Sequence, residues 1–215
     1  MIEILYEDAE FIAVNKPIGI NSIAGRNSSL DKNPGETVLS IIEQTLEKKI
    51  YVVHRLDKPV SGVIVFAKSA ISHKYLNDLF AQGRVQKQYL ALVHGRVEPS
   101  QGLIDKPIKE YGSGRMGVDF KLGKASLTNY KVRELYKEYT LLNAFPKTGR
   151  RHQIRVHLYS IGHPIVGDLQ YGNKEIAVKL PRLMLHSEQL TFINNNGKEI
   201  VIKASLEKPF ISLIT

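Results

Sequence analysis

The sequence predicts an α+β fold, a largely antiparallel, twisted sheet with a few helices packed on it. Three observations lead there. Strand-like runs outnumber helical stretches, the links between them are often short or turn-like, and the helical stretches carry their own start and stop signals.

In chain order, residues 2–5 (IEIL) and 11–14 (FIAV) read as strands around the acidic turn Glu7-Asp8-Ala9-Glu10. Asn15-Lys16-Pro17-Ile18-Gly19 ends the second strand, because proline and glycine interrupt a ladder. The polar, glycine-containing stretch 21–35 reads as a loop. Thr37 then caps a helix through Leu46, with Val38, Ile41, Ile42 and Leu46 on one face. Residues 51–54 (YVVH) and 63–67 (VIVFA) are strand-like and joined by Arg55–Gly62. Ser69 caps a second helix whose Ile71, Tyr75, Leu79 and Phe80 recur at helical spacing, and Gly83 stops it. Further strands are expected at 87–93, 127–134, 139–145 and 190–203, and a helix at 152–161 that ends at Gly162 with Pro164 beyond. There is no internal repeat and no long linker, so 1–215 is read as a single domain.

Composition narrows the function classes. The 215 residues contain no cysteine, which excludes disulfides, thiolate metal sites and cysteine nucleophiles. The N-terminal MIEILYEDAEF carries acids where a secretory signal needs a basic stretch, and no apolar run approaches the roughly 18 residues of a membrane span. A soluble cytoplasmic protein with no membrane partner is the expectation. Thirty Lys and Arg against 21 Asp and Glu give a net charge of +9, which favours a polyanionic partner.

Two segments concentrate chemistry. In His54-Arg55-Leu56-Asp57-Lys58-Pro59-Val60-Ser61-Gly62 a strand delivers Asp57 to a loop stiffened by proline and glycine. Arg55 and Lys58 favour its ionised form where they point towards it. Such a carboxylate serves as nucleophile or base, or simply bonds nearby amides. In Lys147-Thr148-Gly149-Arg150-Arg151-His152-Gln153-Ile154-Arg155-Val156-His157 cations gather at a helix start. His152, Arg155, Val156 and Tyr159 share one helix face, while Arg150 and Arg151 sit in the turn, suited to phosphates. A solvated basic cap fits the same pattern. His152 and His157 stand five apart, not the four that stacks two metal ligands, and no carboxylate in the segment completes a metal site. No phosphate-binding glycine motif seats a nucleotide cofactor. Tyr89 begins the strand Gln86–Gly95, either as half-buried core or as a platform for a base.

Taken together these segments resemble the RluA family of pseudouridine synthases. HRLDKPVSG at 54–62 follows the family pattern His-Arg-Leu-Asp-x-x-Thr-Ser-Gly except at Val60. Further matches follow in the family's order: ILYEDAEFIAVNKPIGI, QKQYLALVHG, KTGRRHQIRVHLYSIGHPIVGD and LMLHSEQL. The resemblance implies the pseudouridine synthase fold, a mixed sheet in two halves flanking an RNA-binding cleft, with no metal and no organic cofactor. It implies a catalytic domain alone, without an N-terminal accessory RNA-binding domain.

Residue by residue, the resemblance makes Asp57 the catalytic aspartate, Tyr89 the tyrosine packed against the target base and Arg155 the arginine that pairs with the carboxylate. Arg55 matches the arginine that occupies the space left by a flipped nucleotide. With Arg55, Lys87, Arg150 and Arg151 are the candidate RNA-binding cations. The partner expected is structured RNA, 23S-type ribosomal RNA or transfer RNA or both, and the protein is expected to be a monomer. Lys16, Pro17 and Gly19 match a motif of structural role. Val60 loses the hydroxyl of the usual threonine, and Ser187 replaces an alanine. The alternatives are an RNA-binding module of the same fold without catalysis, separated by tritium release from carbon 5 of uridine, and a metal-dependent nuclease, separated by a chelator.

Overall fold

The computed structural model describes residues 2–24, 35–112 and 114–213. The loop expected at 21–35 therefore lies mostly outside the described residues. The chain divides into two compact units, Met1–Val85 with Ser187–Ser205, and Gln86–His186 with Leu206–Thr215. Helices and antiparallel strands occur in both, as the α+β reading requires. Among the described residues no helix is long and apolar enough to cross a membrane.

In the first unit, β1 (Glu3–Glu7) and β2 (Phe11–Lys16) form an antiparallel pair. The turn between them is closed by Asp8, whose Oδ1 accepts from the Glu10 and Phe11 amides at 2.8 and 2.9 Å. Helix α1 (Val38–Leu46) follows a capping box in which the Thr37 side chain accepts from the Ser40 amide and the Ser40 side chain accepts from the Thr37 amide. The expected strand at 51–54 shrinks to β3 (Tyr51–Val52), and His54 meets β4 through its side chain instead. Strand β4 (Ser61–Ala67) pairs with β2 and β3 and is buried along its whole length.

Helix α2 (Ala70–Ala81) starts at a second capping box, Ser69 with Ser72. Its buried residues are Ser72, Leu76 and Leu79, whereas Ile71 is 82% exposed. The expected apolar face is thus rotated: the cap turns Ser72 inward and carries Ile71 out, with Tyr75 and Phe80 packed at the margin. Gly83 takes a positive φ of 68° after the helix. The core joins Phe11, Val63 and Val65 to Leu76, Leu79, Leu190, Phe192 and Ile202. The expected strand at 190–203 is a hairpin, β11 (Leu185–Ile193) with β12 (Glu199–Lys203).

The second unit is built on the antiparallel order β5-β10-β9-β6. These are β5 (Gln86–His94), β6 (Gln101–Asp105), β9 (Leu127–Leu135) and β10 (Tyr139–Pro146). A small hairpin of β7 (Ile108–Glu110) and β8 (Met116–Val118) was not evident from periodicity, since three residues are too short to show one. Helix α3 (Gln153–Ser160) packs on β8, β9 and β10, and Gly162 follows it at φ 87°. Short helices α4 (Lys174–Ala177) and α5 (Lys208–Ile211) complete the unit.

Candidate active site

The loop that carries Asp57 is braced through its main chain. The Ser22 hydroxyl donates to the Leu56 carbonyl at 2.8 Å and accepts from the Leu56 amide at 3.1 Å. Lys16 is fully buried, and its Nζ donates to the carbonyls of Val60, Pro17 and Lys58 at 2.7, 2.9 and 3.1 Å. A buried ammonium surrounded by carbonyl oxygens recovers much of its lost hydration and holds those peptides in one orientation. Gly19 adds a backbone bond to the Lys58 carbonyl, and the Val60 amide closes a turn onto the Asp57 carbonyl at 3.0 Å. Main-chain groups of 56, 57, 58 and 60 are therefore all held. Val60, in the place of the usual threonine, is buried and contributes through its backbone.

Both ends of the loop are pinned as well. His54 Nε2 accepts from the Val65 amide at 3.0 Å, and its ring stacks on Phe80 with centroids 4.7 Å apart. Gly62 has φ 111°, and a Cβ there would lie 2.2 Å from the Ser187 carbonyl oxygen, so only glycine fits. Against this frame the Asp57 side chain is half-buried and Arg55 is exposed.

The remaining candidates lie in the second unit. Tyr89, on β5 opposite Ala144 of β10, is buried at 9% exposure. Its strand is buried on both faces from 89 to 93. Two residues earlier on the same side, Lys87 Nζ donates to the Thr148 carbonyl at 3.1 Å, which ties β5 to the basic turn. Burial, with Lys147 as a second cause, lowers the Lys87 pKa from 10.5 to about 8. Arg150 and Arg151 are exposed in that turn. Arg150 Nε reaches the Ala125 carbonyl at 3.3 Å, and Arg151 Nη1 pairs with Glu110 at 2.7 Å.

Arg155 is buried on α3, and its guanidinium makes a two-pronged pair with Asp168, Nε to Oδ2 and Nη2 to Oδ1, both at 2.8 Å. Asp168 Oδ1 also accepts from the amides of Gln170 and Tyr171 at 2.9 and 3.1 Å. The side chains expected on one helix face converge on Tyr171, although His152 precedes the helix as its N-cap in the left-handed region, at φ 54°. Arg155 lies 4.9 Å over its ring, His152 Nδ1 is 2.8 Å from its hydroxyl, Val156 packs in its cluster, and the Tyr159 ring is 6.2 Å away. The other histidine of the segment, His157, is buried with Nδ1 on Thr128 Oγ1 at 2.8 Å and Nε2 on the Lys106 carbonyl at 2.9 Å.

Sequence reasoning missed three residues that shape this cluster. Asp168 is separated from Arg155 by the α3 terminus and a loop, so no spacing rule links them. Tyr171 lies among turns, where periodicity is silent. Gln153 organises the start of α3: its Oε1 accepts from the Thr148 hydroxyl and the Arg150 amide, and its Nε2 donates to the Leu127 carbonyl and Thr128 Oγ1. A glutamine just after a basic turn gives no signal of that work.

Comparison with known proteins gives a consistent result. A family model for RNA pseudouridylate synthase matches residues 10–160. The dual-specificity RNA pseudouridine synthase RluA of Escherichia coli (strain K12) is 38% identical over 205 residues, covering 94% of this chain and 91% of that protein. The tRNA pseudouridine synthase C of Pasteurella multocida (strain Pm70) is 35% identical over 234 residues, covering 99% and 95%. Among solved structures, human RNA pseudouridylate synthase domain containing 1 superposes with a TM-score of 0.80 at 27% identity, over 96% of this chain and 84% of that one. The region matched by the family model holds Asp57, Tyr89 and Arg155 with Lys16 and Ser22, and the chain belongs to the RNA pseudouridylate synthase family, isomerases that act on RNA.

Proposed function

We propose that this chain converts particular uridines of folded transfer RNA, ribosomal RNA or both to pseudouridine, with Asp57 as the catalytic carboxylate. The observation that carries the proposal is the Asp57 loop. Its main chain is held at residues 56, 57, 58 and 60 by Lys16, Ser22, Gly19 and its own turn. A main chain fixed in this way sets where the half-buried Asp57 side chain starts from. Relatives named for transfer RNA and for dual specificity support the substrate class. The family match crosses the boundary between the two units, which supports reading 1–215 as one catalytic domain.

The reaction breaks the bond between ribose and the uracil nitrogen, turns the base and rejoins it through carbon 5. A stacked uridine is out of reach, so the nucleotide is extruded at a cost of a few kcal/mol, offset by phosphate contacts. Arg55, Lys87, Arg150 and Arg151 are assigned to those contacts, with Arg55 filling the vacated stack. Asp57 either attacks the ribose or removes a ribose proton to give a glycal-like intermediate. Tyr89 holds the detached uracil by its face, keeping it close for the second bond. Arg155, whose guanidinium is held two-pronged by Asp168, is assigned as the cation that pairs with the catalytic carboxylate. The protein acts as a cytoplasmic monomer without metal or organic cofactor.

Mapping pseudouridine in transfer and ribosomal RNA from cells with and without this gene tests the proposal. A discrete set of uridines is expected to lose the modification in the deletion. An unchanged map in both RNA classes contradicts it.

A further inference from the structure

Residues 119–123 form a turn whose conformation is fixed from several sides. Asp119 Oδ1 accepts from the amides of Lys121 and Leu122, both at 2.9 Å, and these bonds hold its carboxyl below the ordinary aspartate range. The Gly123 amide donates to the Asp119 carbonyl at 2.9 Å, and the Asp119 amide to the Pro107 carbonyl at 2.9 Å. A Cβ on Gly123 would lie 2.3 Å from the Asp119 oxygen and 2.8 Å from the Pro107 carbonyl carbon. Reciprocal bonds between Ile108 and Lys124 close the base of the turn.

This stiff turn holds Phe120 75% exposed and Leu122 70% exposed. Leaving two large apolar side chains in water forgoes the stabilisation their burial would give, and nothing in the turn's own bonding requires those residue types. A rigid display does help binding, because little conformational entropy is lost when the side chains are covered. The surroundings define the partner. Lys121 and Lys124 are exposed in the turn, and exposed Arg115 precedes β8. Arg150 is bonded to the residue that follows Lys124, and Arg151 is paired to Glu110 of β7. An apolar, aromatic tip inside a field of cations matches a polyanion that carries flat apolar faces of its own.

We propose that this turn is a second RNA contact, in which Phe120 stacks on an unpaired base, Leu122 covers its flank, and Lys121 and Lys124 neutralise neighbouring phosphates. It rests on the reading of the chain as an enzyme of structured RNA and adds a substrate requirement, a loop or bulge that presents an unstacked base.

The chain contains no tryptophan, so Phe120→Trp installs a single tryptophan at the tip, excited selectively over the 10 tyrosines. The full chain is titrated with unmodified bulk transfer RNA and, separately, with dextran sulfate, a polyanion without bases. RNA is expected to quench the emission and dextran sulfate to leave it unchanged. No quenching at RNA concentrations that saturate binding, or equal quenching by both polymers, overturns the contact. In turnover assays Phe120→Ala is expected to raise KM roughly tenfold at unchanged kcat, with Phe120→Tyr within about twofold of the parent. An unaltered KM in Phe120→Ala overturns it as well. Quenching needs no turnover, so quenching without product would count against the catalytic reading and leave the contact standing.

Discussion

The Ser187 side chain is fully buried, and its Oγ meets no hydrogen-bond partner among the described residues. A hydroxyl in that position opposes folding by about 1–3 kcal/mol relative to an apolar group of similar shape. Ser187→Ala is therefore expected to stabilise the protein by about 1 kcal/mol in urea unfolding, and a lower stability would show that the hydroxyl is bonded after all. Lys87 supports a prediction of opposite character. Its pKa is lowered to about 8, so its charge is present at pH 7 and disappears as pH rises through that value. If it serves a phosphate, RNA affinity falls across this range, and the slope of log affinity against log salt shrinks by about 1 between pH 7 and pH 9. A bound phosphate favours the charged form, so the midpoint measured with RNA lies above 8. In Lys87→Met the affinity is weaker at pH 7 and nearly flat up to pH 9; a pH response equal to the parent's rules Lys87 out as its source.

At the scale of elements, α3 shows what pattern reading reaches and where it stops. Offsets of three, four and seven place His152, Arg155, Val156 and Tyr159 on one face; Arg155, Val156 and Tyr159 do gather at one point, Tyr171, whereas His152 reaches it from the left-handed N-cap position before the helix, at φ 54°. The point itself was illegible, because Tyr171 and Asp168 belong to a stretch of turns. On α2 the same rule names the wrong margin: Ile71 is exposed, since the Ser69–Ser72 capping box sets the helix's rotation and spacing alone does not. The Arg155–Asp168 pair carries the main consequence for stability. Both members are buried, so Asp168→Asn takes the two-pronged carboxylate away from the guanidinium and is expected to cost about 3–5 kcal/mol by chemical denaturation. Replacing both by apolar residues, Arg155→Met with Asp168→Leu, is expected to recover only part of that loss, because the Gln170 and Tyr171 amides lose their acceptor, while abolishing turnover. A double variant as unstable as Asp168→Asn would mean the pair is held for its packing, not its charge.

Over the whole molecule, the α+β class and the main strands and helices were legible because hydrophobic periodicity and caps act locally. Strand β4 and the hairpin of β11 and β12 follow from such signals. The short β7–β8 hairpin does not, and the turn that displays Phe120 and Leu122 is visible only once their exposure is known. Of the site, Asp57 was legible from its own motif. Lys16 stood out only as part of a structural motif and Ser22 not at all, and neither could be assigned to the loop, since they act from 44 and 34 residues away on Val60 and Leu56. The net charge of +9 belongs to this scale too and is consistent with a polyanionic substrate. The central claim is that this scaffold serves one carboxylate. Asp57→Asn keeps the shape of the side chain and removes its charge. With transfer and ribosomal RNA labelled at carbon 5 of uridine, the variant is expected to release no tritium while binding RNA as tightly as the parent. Tritium release at the parent's rate would contradict the account.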